Sequence, residues 1–159
     1  KSDHPARLLD LFADTLSQLK TDGVEMLPEN LPPRPWVFGG EWVTNIFMLG
    51  GEIEEFLKRT GYNMCFDTSH AALSCNAYGE DVVQMIIRLQ PYIRHLHVAD
   101  GSGTGEEGLQ IGQGTIDFDA VLTPFVGYEH TMIPEIWQGH LHGGKGFLQA
   151  MDHLKPYMK

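Results

Sequence analysis

NMCFDTSHA, residues 63–71, reads as a buried strand that ends on a carboxylate, Asp67, with an imidazole, His70, three positions later. In an extended chain Asn63, Cys65 and Asp67 share one face, and Met64 and Phe66 share the other. Such an ending has two readings. Asp67, with Thr68 and Ser69 behind it, caps a following helix, or Asp67 and His70 are half of a metal site.

The flanking sequence repeats the pattern. VEMLPEN (24–30), IRHLHVAD (93–100) and HTMIPEIW (130–137) read as further strands, and each carries a polar residue near its C-terminal end: Glu29, His97 with Asp100, and Glu135. Helical spacing predicts helices over 5–20, 50–61, 79–92, 117–126 and 144–159. In the first, Leu8, Leu9, Leu11, Phe12, Leu16 and Leu19 form one broad stripe, and Asp3 or His4 ahead of Pro5 suits a helix start. LPPRPWVFGGEW (31–42) is a long loop, because its prolines remove donors and restrict their neighbours. Its Trp36 and Trp42 either line a pocket or pack on the scaffold.

A helix followed by four strand and helix units argues for an α/β fold with a parallel sheet covered by helices. Polar residues gathered at the C-terminal ends of several strands favour a TIM barrel. A doubly wound open sheet is the competing architecture, and its ligands also gather beyond the carboxyl ends of strands. An eight-stranded barrel usually needs about 250 residues, whereas this chain has 159. It is therefore expected to be one partial barrel domain over 1–159, whose open sheet edges demand a partner chain or a missing segment.

Four parallel strands about 5 Å apart bring one ligand each to a single point. Glu29, Asp67, His97 and Glu135 meet that requirement, in a carboxylate-rich set suited to one divalent cation: manganese, magnesium, cobalt or zinc. Each alone reads more simply as a cap, a salt bridge or a solvated loop residue; the conjunction across four strands is what points to metal. His95 shares a face with His97 and reads as an outer contact, a substrate contact or packing ahead of a further metal ligand. His70 suits a substrate hydroxyl. GTGEEGLQIGQGTIDF (103–118) is glycine-rich but has no phosphate fingerprint. Glu106 and Glu107 read there as a solvated turn, with reach into the site as the alternative, and Asp117 as a helix cap. Farther on, His140 and His142 border the site or sit in an exposed loop, and Lys145 either contacts an anionic substrate group or is a surface lysine.

The formal charge is −10, from 21 acidic and 11 basic residues, and the basic residues are scattered singly, which argues against nucleic acid as a partner. No stretch approaches the roughly 18 consecutive apolar residues of a membrane span. Cys65 and Cys75 are the only cysteines and read as buried free thiols, compatible with a reducing, cytoplasmic setting.

The ordered set EN (29–30), CFDTSHA (65–71), RHLHVADG (94–101), GLQIGQGTIDF (108–118) and IPEIW (133–137) resembles the xylose isomerase-like TIM barrel superfamily, in its sugar phosphate isomerase and epimerase branch. The resemblance covers the whole chain from a fifth strand onward, and so implies the C-terminal half of a barrel. It implies Glu29, Asp67, His97 and Glu135 as metal ligands, His70 as a substrate contact, and Glu29 and Glu135 as the proton-transfer pair; Trp36 and Lys145 join His70 as substrate-contact candidates from their own sequence context. The implied reaction isomerises or epimerises a sugar, keto-sugar or polyol through an enediolate. It also implies that the isolated chain, without a first half-barrel or a second copy, binds metal poorly and turns little over. Two alternatives stand beside it: a non-catalytic carbohydrate-binding or assembly fragment, and an abasic-site endonuclease-like hydrolase. The second is weakened by the acidic surface and by the lack of an Asp-x-His arrangement after His97.

Overall fold

The computed structural model describes residues 4–157. Asp3, proposed to open the first helix, lies outside them, as do the last two residues of the predicted final helix. The first helix, α1 (His4–Gln18), packs through a narrower stripe than the leucine pattern predicted. Leu9, Phe12, Ala13 and Leu16 meet the core, whereas Leu11 and Leu19 are about half exposed. Phe12 stacks on Phe56 at 5.3 Å and meets Phe47 edge-on at 5.6 Å, tying α1 to the helix that follows.

The predicted strand over 24–30 does not form. It is reduced to one parallel bridge between Glu29 and Cys65. Pro28 accepts from the Cys65 amide at 3.1 Å but has no N–H of its own to give. The side chain of Asn30 then makes the next two bonds of the ladder: its Nδ2 donates to the Asp67 carbonyl at 2.9 Å, and its Oδ1 accepts from the Asp67 N–H at 2.8 Å. The proline-rich loop carries only a short hairpin, β1 (Trp36–Val37) with β2 (Gly40–Glu41).

Helix α2 (Gly50–Thr60) ends at Gly61, whose φ of 77° closes the last turn in the left-handed region that glycine favours. Next come β3 (Met64–Asp67), α3 (Thr68–Tyr78), α4 (Val82–Leu89) and β4 (Ile93–Val98). After them β5 (Asp100–Ser102) and β6 (Glu106–Leu109) form an antiparallel hairpin where the glycine content predicted an irregular loop. Helix α5 (Phe118–Leu122) is capped by Asp117 as expected, accepting from Ala120 N–H at 3.1 Å, and Pro124 turns its end into a 3-10 turn. Strand β7 (Thr131–Pro134) and helix α6 (Leu141–Leu154) complete the order. Left-handed backbone at His142, Gly143 and Gly144 interrupts the start of α6, so regular helix begins at Lys145, close to its predicted start.

The sheet is parallel, in the order β3, β4, β7, with Asp67 opposite His97 and His97 opposite Ile133. It has three strands rather than the four expected, and it is not closed among the described residues. Met64, Phe66, Leu96 and Val98 are fully buried, in one cluster with Ile53, Phe56 and Leu57 of α2 and Met85, Ile86 and Leu89 of α4. Each such side chain contributes about 1.5–3 kcal/mol by leaving water. That alternation sends Cys65, Asp67, His95 and His97 to the opposite face. No described helix is long and apolar enough to cross a membrane.

Candidate metal centre

Asp67 takes the cap its sequence context offered, and it also stands in a cluster of possible ligands. Its backbone is extended and it caps α3, with Oδ1 accepting from His70 N–H and from Ser69 Oγ, each at 2.7 Å. Oδ2 remains for another partner. The residue is 1% exposed, so its charge has almost no access to water. Burial pushes its carboxyl above the usual range, opposed by His70. A carboxylate so placed calls for a cation.

The other candidate ligands arrive on adjacent elements. Glu29 comes from the bridge beside β3, His97 from β4, and Glu135 from one residue past β7, where its N–H donates to the Val98 carbonyl at 3.0 Å. His97 Nδ1 lies 3.2 Å from Glu29 Oε1 and 2.5 Å from Glu135 Oε2. One ligand atom each from Glu29, Asp67, His97 and Glu135 lies within 4.8 Å of the others. Three carboxylates and one imidazole are a donor set for a divalent cation.

Without the cation these groups neutralise one another. Contact with the Cys65 sulfur and hydrogen bonds to Glu135 and Glu29 push His97 up to about 12, and His97 in turn holds Glu135 below the usual carboxylate range. The sign of the pH dependence follows. His97 is protonated at neutral pH in the metal-free site, and a ligand imidazole must be neutral, so cation and proton compete. Cation uptake at pH 7 is expected to release about one proton, with affinity rising as pH rises. Calorimetry in buffers of different ionisation enthalpy measures that number, and a value of zero would place the cation away from His97.

His70 stands beside the cluster. Its Nδ1 is 2.9 Å from the Asn30 carbonyl and 3.5 Å from Glu29 Oε1, and its Nε2 is 3.5 Å from Glu107 Oε2. A cavity of about 360 Å³ opens here, lined by Asp67, Ser69, His70, Glu107, Glu135 and Trp137 among others. Its size lies in the range of small-molecule sites, about 300–1,000 Å³. Of the other candidates, His140 lines the same cavity, and Lys145 and His142 line a neighbouring groove that shares Trp137 and Gln138 with it. Trp36 is 63% exposed on β1 and lines neither.

Two more residues take part. Glu107, which reads first as a solvated turn residue and second as one that reaches the site, is turned inward by the β5–β6 hairpin, which Trp137 N–H fastens at the Gly108 carbonyl at 2.7 Å. Its Oε2 is buried, and burial pushes the carboxyl up. Asn30, fully buried, holds both the Asp67 backbone and His70. Asn30→Ala is expected to cost about 2–4 kcal/mol through the lost buried hydrogen bonds and to weaken cation binding about 10–100-fold. Urea unfolding and a manganese titration check these two effects separately. Asp100, near His97 in sequence, is spent elsewhere. Its carboxylate accepts from the N–H groups of Gly101, Gly112, Gly114 and Ile116, and a Cβ on Gly114 would fall 2.3 Å from its Oδ1.

Comparison with known proteins bears on the arrangement. The sequence profile described as "Xylose isomerase-like TIM barrel" matches residues 1–157. An uncharacterized protein of Methanocaldococcus jannaschii, MJ1311, is 28% identical over 134 residues, which span 80% of this chain and 43% of the relative. Among solved structures, a D-tagatose 3-epimerase-like protein superposes with a TM-score of 0.69 at 22% identity, over 94% of this chain and 54% of its own. The 3-keto-D-glucoside 4-epimerase YcjR of E. coli gives 0.60 at 15% identity, over 93% and 51%. The probable 3-DHS dehydratase AsbF of Bacillus anthracis gives 0.62 at 16%, over 97% and 56%. The likeness to these structures is one of fold, and the chain spans about half the length of each protein it matches.

Proposed function

The chain belongs to the xylose isomerase-like TIM barrel family, and from that membership we propose that it is the C-terminal half of a barrel enzyme. Its reaction is a 1,1-proton transfer next to the carbonyl of a sugar, keto-sugar or polyol-derived substrate. The convergence of Glu29, Asp67, His97 and Glu135 from neighbouring strand ends carries this reading. These four residues hold one divalent cation, manganese, magnesium, cobalt or zinc. When bound, it supplies Lewis-acid polarisation of the carbonyl and the adjacent hydroxyl.

The chain's own residues do the rest. Asp67, fixed by Ser69 and the start of α3, neutralises the cation without moving. Glu29 and Glu135 approach from strand ends that β3 and β4 separate, so one removes the proton on one side of the reacting carbon and the other returns a proton on the opposite side. His70, held at Nδ1 by Asn30, keeps its other edge toward the cavity, where it binds a substrate hydroxyl. Trp137 lines the cavity beside it. The missing wall comes from a preceding half-barrel, a separate chain or a second copy, and the epimerase names among the matched structures favour sugars as the substrate class.

The test is hydrogen exchange. The full natural protein, loaded with manganese and incubated with unphosphorylated and phosphorylated ketoses in D2O, is expected to wash deuterium into a carbon next to the carbonyl, as NMR would report. The exchange should stop on chelation and return with the metal. Undiminished exchange after exhaustive chelation would overturn the proposal.

A further inference from the structure

A second set of ligands shares the sheet face of the carboxylates. Cys65 stands opposite His95 across β3 and β4, and His97 follows two residues later on the same face. One ligand atom each from Cys65, His95 and His97 lies within 4.8 Å of the others. Cys65 is a free thiol, 5% exposed, and the reaction proposed above does not use it. His95 rests its Nδ1 on the Thr131 hydroxyl at 2.5 Å, which orients the ring and leaves Nε2 for another partner. The two imidazoles meet edge to face, with centroids 4.9 Å apart.

This set differs in kind from its neighbour. One sulfur and two imidazoles are softer than three carboxylates and one imidazole, and they match an ion that takes tetrahedral S and N ligands. Tetrahedral zinc brings such donors to about 3.5 Å from one another, a closure that small side-chain rotations supply.

We propose that Cys65, His95 and His97 form a second cation seat, selective for zinc and similar thiophilic ions, which shares His97 with the carboxylate seat. Because His97 serves both seats, filling the soft one weakens the hold of the hard one. The inference goes beyond the proposed function and shares with it this one residue.

Cobalt, a zinc surrogate with a visible spectrum, tests it. The full natural protein, stripped of metal and titrated with Co2+, is expected to show a thiolate-to-cobalt charge-transfer band with intense tetrahedral bands. Cys65→Ser should abolish the charge-transfer band, and His95→Gln should weaken the cobalt site at least about tenfold, while manganese binding followed by electron paramagnetic resonance changes less than about threefold in either variant. Should Cys65→Ser fail to fold, His95→Gln decides the matter together with Cys75→Ser, in which the band must persist. Bound cobalt with no sulfur band in the wild type, or a band that survives Cys65→Ser, would overturn the proposal. A sulfur band in a protein that binds no manganese would support this seat and overturn the carboxylate one, so the two readings fail separately.

Discussion

Glu135→Gln and Glu29→Gln are each expected to lower interconversion of the two epimers by about 10²–10⁴-fold at saturating manganese, the usual contribution of a positioned acid or base. Glutamine keeps the shape and an oxygen for the cation but cannot take a proton. The two carboxylates reach the cluster from opposite ends of the strand series, and His97 lies between them, 3.2 Å from Glu29 and 2.5 Å from Glu135. In the metal-free site that contact holds Glu135 below the usual carboxylate range. A two-base reaction has a signature that structural damage lacks. Each single variant should still exchange hydrogen with the one epimer whose C–H faces the surviving carboxylate, while interconversion stops. The double variant should lose both, and equal loss of exchange with both epimers in a single variant would contradict the assignment.

The second large effect is on metal affinity. Asp67→Asn is expected to weaken divalent-cation binding at least about 100-fold, beyond the usual range for outer partners because a direct anionic ligand is lost. It should also raise the stability of the metal-free protein. The sign follows from burial. The folded protein holds the Asp67 carboxyl above its ordinary value, so the ionised form is disfavoured by folding, and stability is lost as pH rises from that value through the raised one. Asparagine removes that cost and keeps the cap, since its side-chain oxygen can still accept from His70 N–H. Thermal unfolding should therefore show a higher midpoint for the variant in chelator and a smaller gain on adding manganese. A lower midpoint in both conditions would reduce Asp67 to a cap.

How far the sequence carries is clearest at β3. The alternation of Met64 and Phe66 with Cys65 and Asp67 places two side chains in the core and two toward the site, and the structure has that division. His95 and His97 against Leu96 and Val98 are legible for the same reason. What periodicity could not give is structure that depends on a single proline or glycine. Pro28 reduces a predicted strand to one bridge, and Asn30 repairs the ladder with its side chain, an arrangement with no period. The β5–β6 hairpin depends on the Asp100 carboxylate gathering four amides contributed by residues up to sixteen positions away. The sequence does not choose between the two readings of Glu107 for that reason: its place beside His70 depends on where the hairpin folds over, not on its neighbours in sequence.

The central claim is that one cation sits where these strands end. A crystal structure of the full natural protein grown with manganese tests it most directly. The account predicts one manganese ion in contact with Glu29, Asp67, His97 and Glu135 together. The same four side chains closed on one another through the His97 hydrogen bonds, with the ion bound elsewhere or absent, would contradict it.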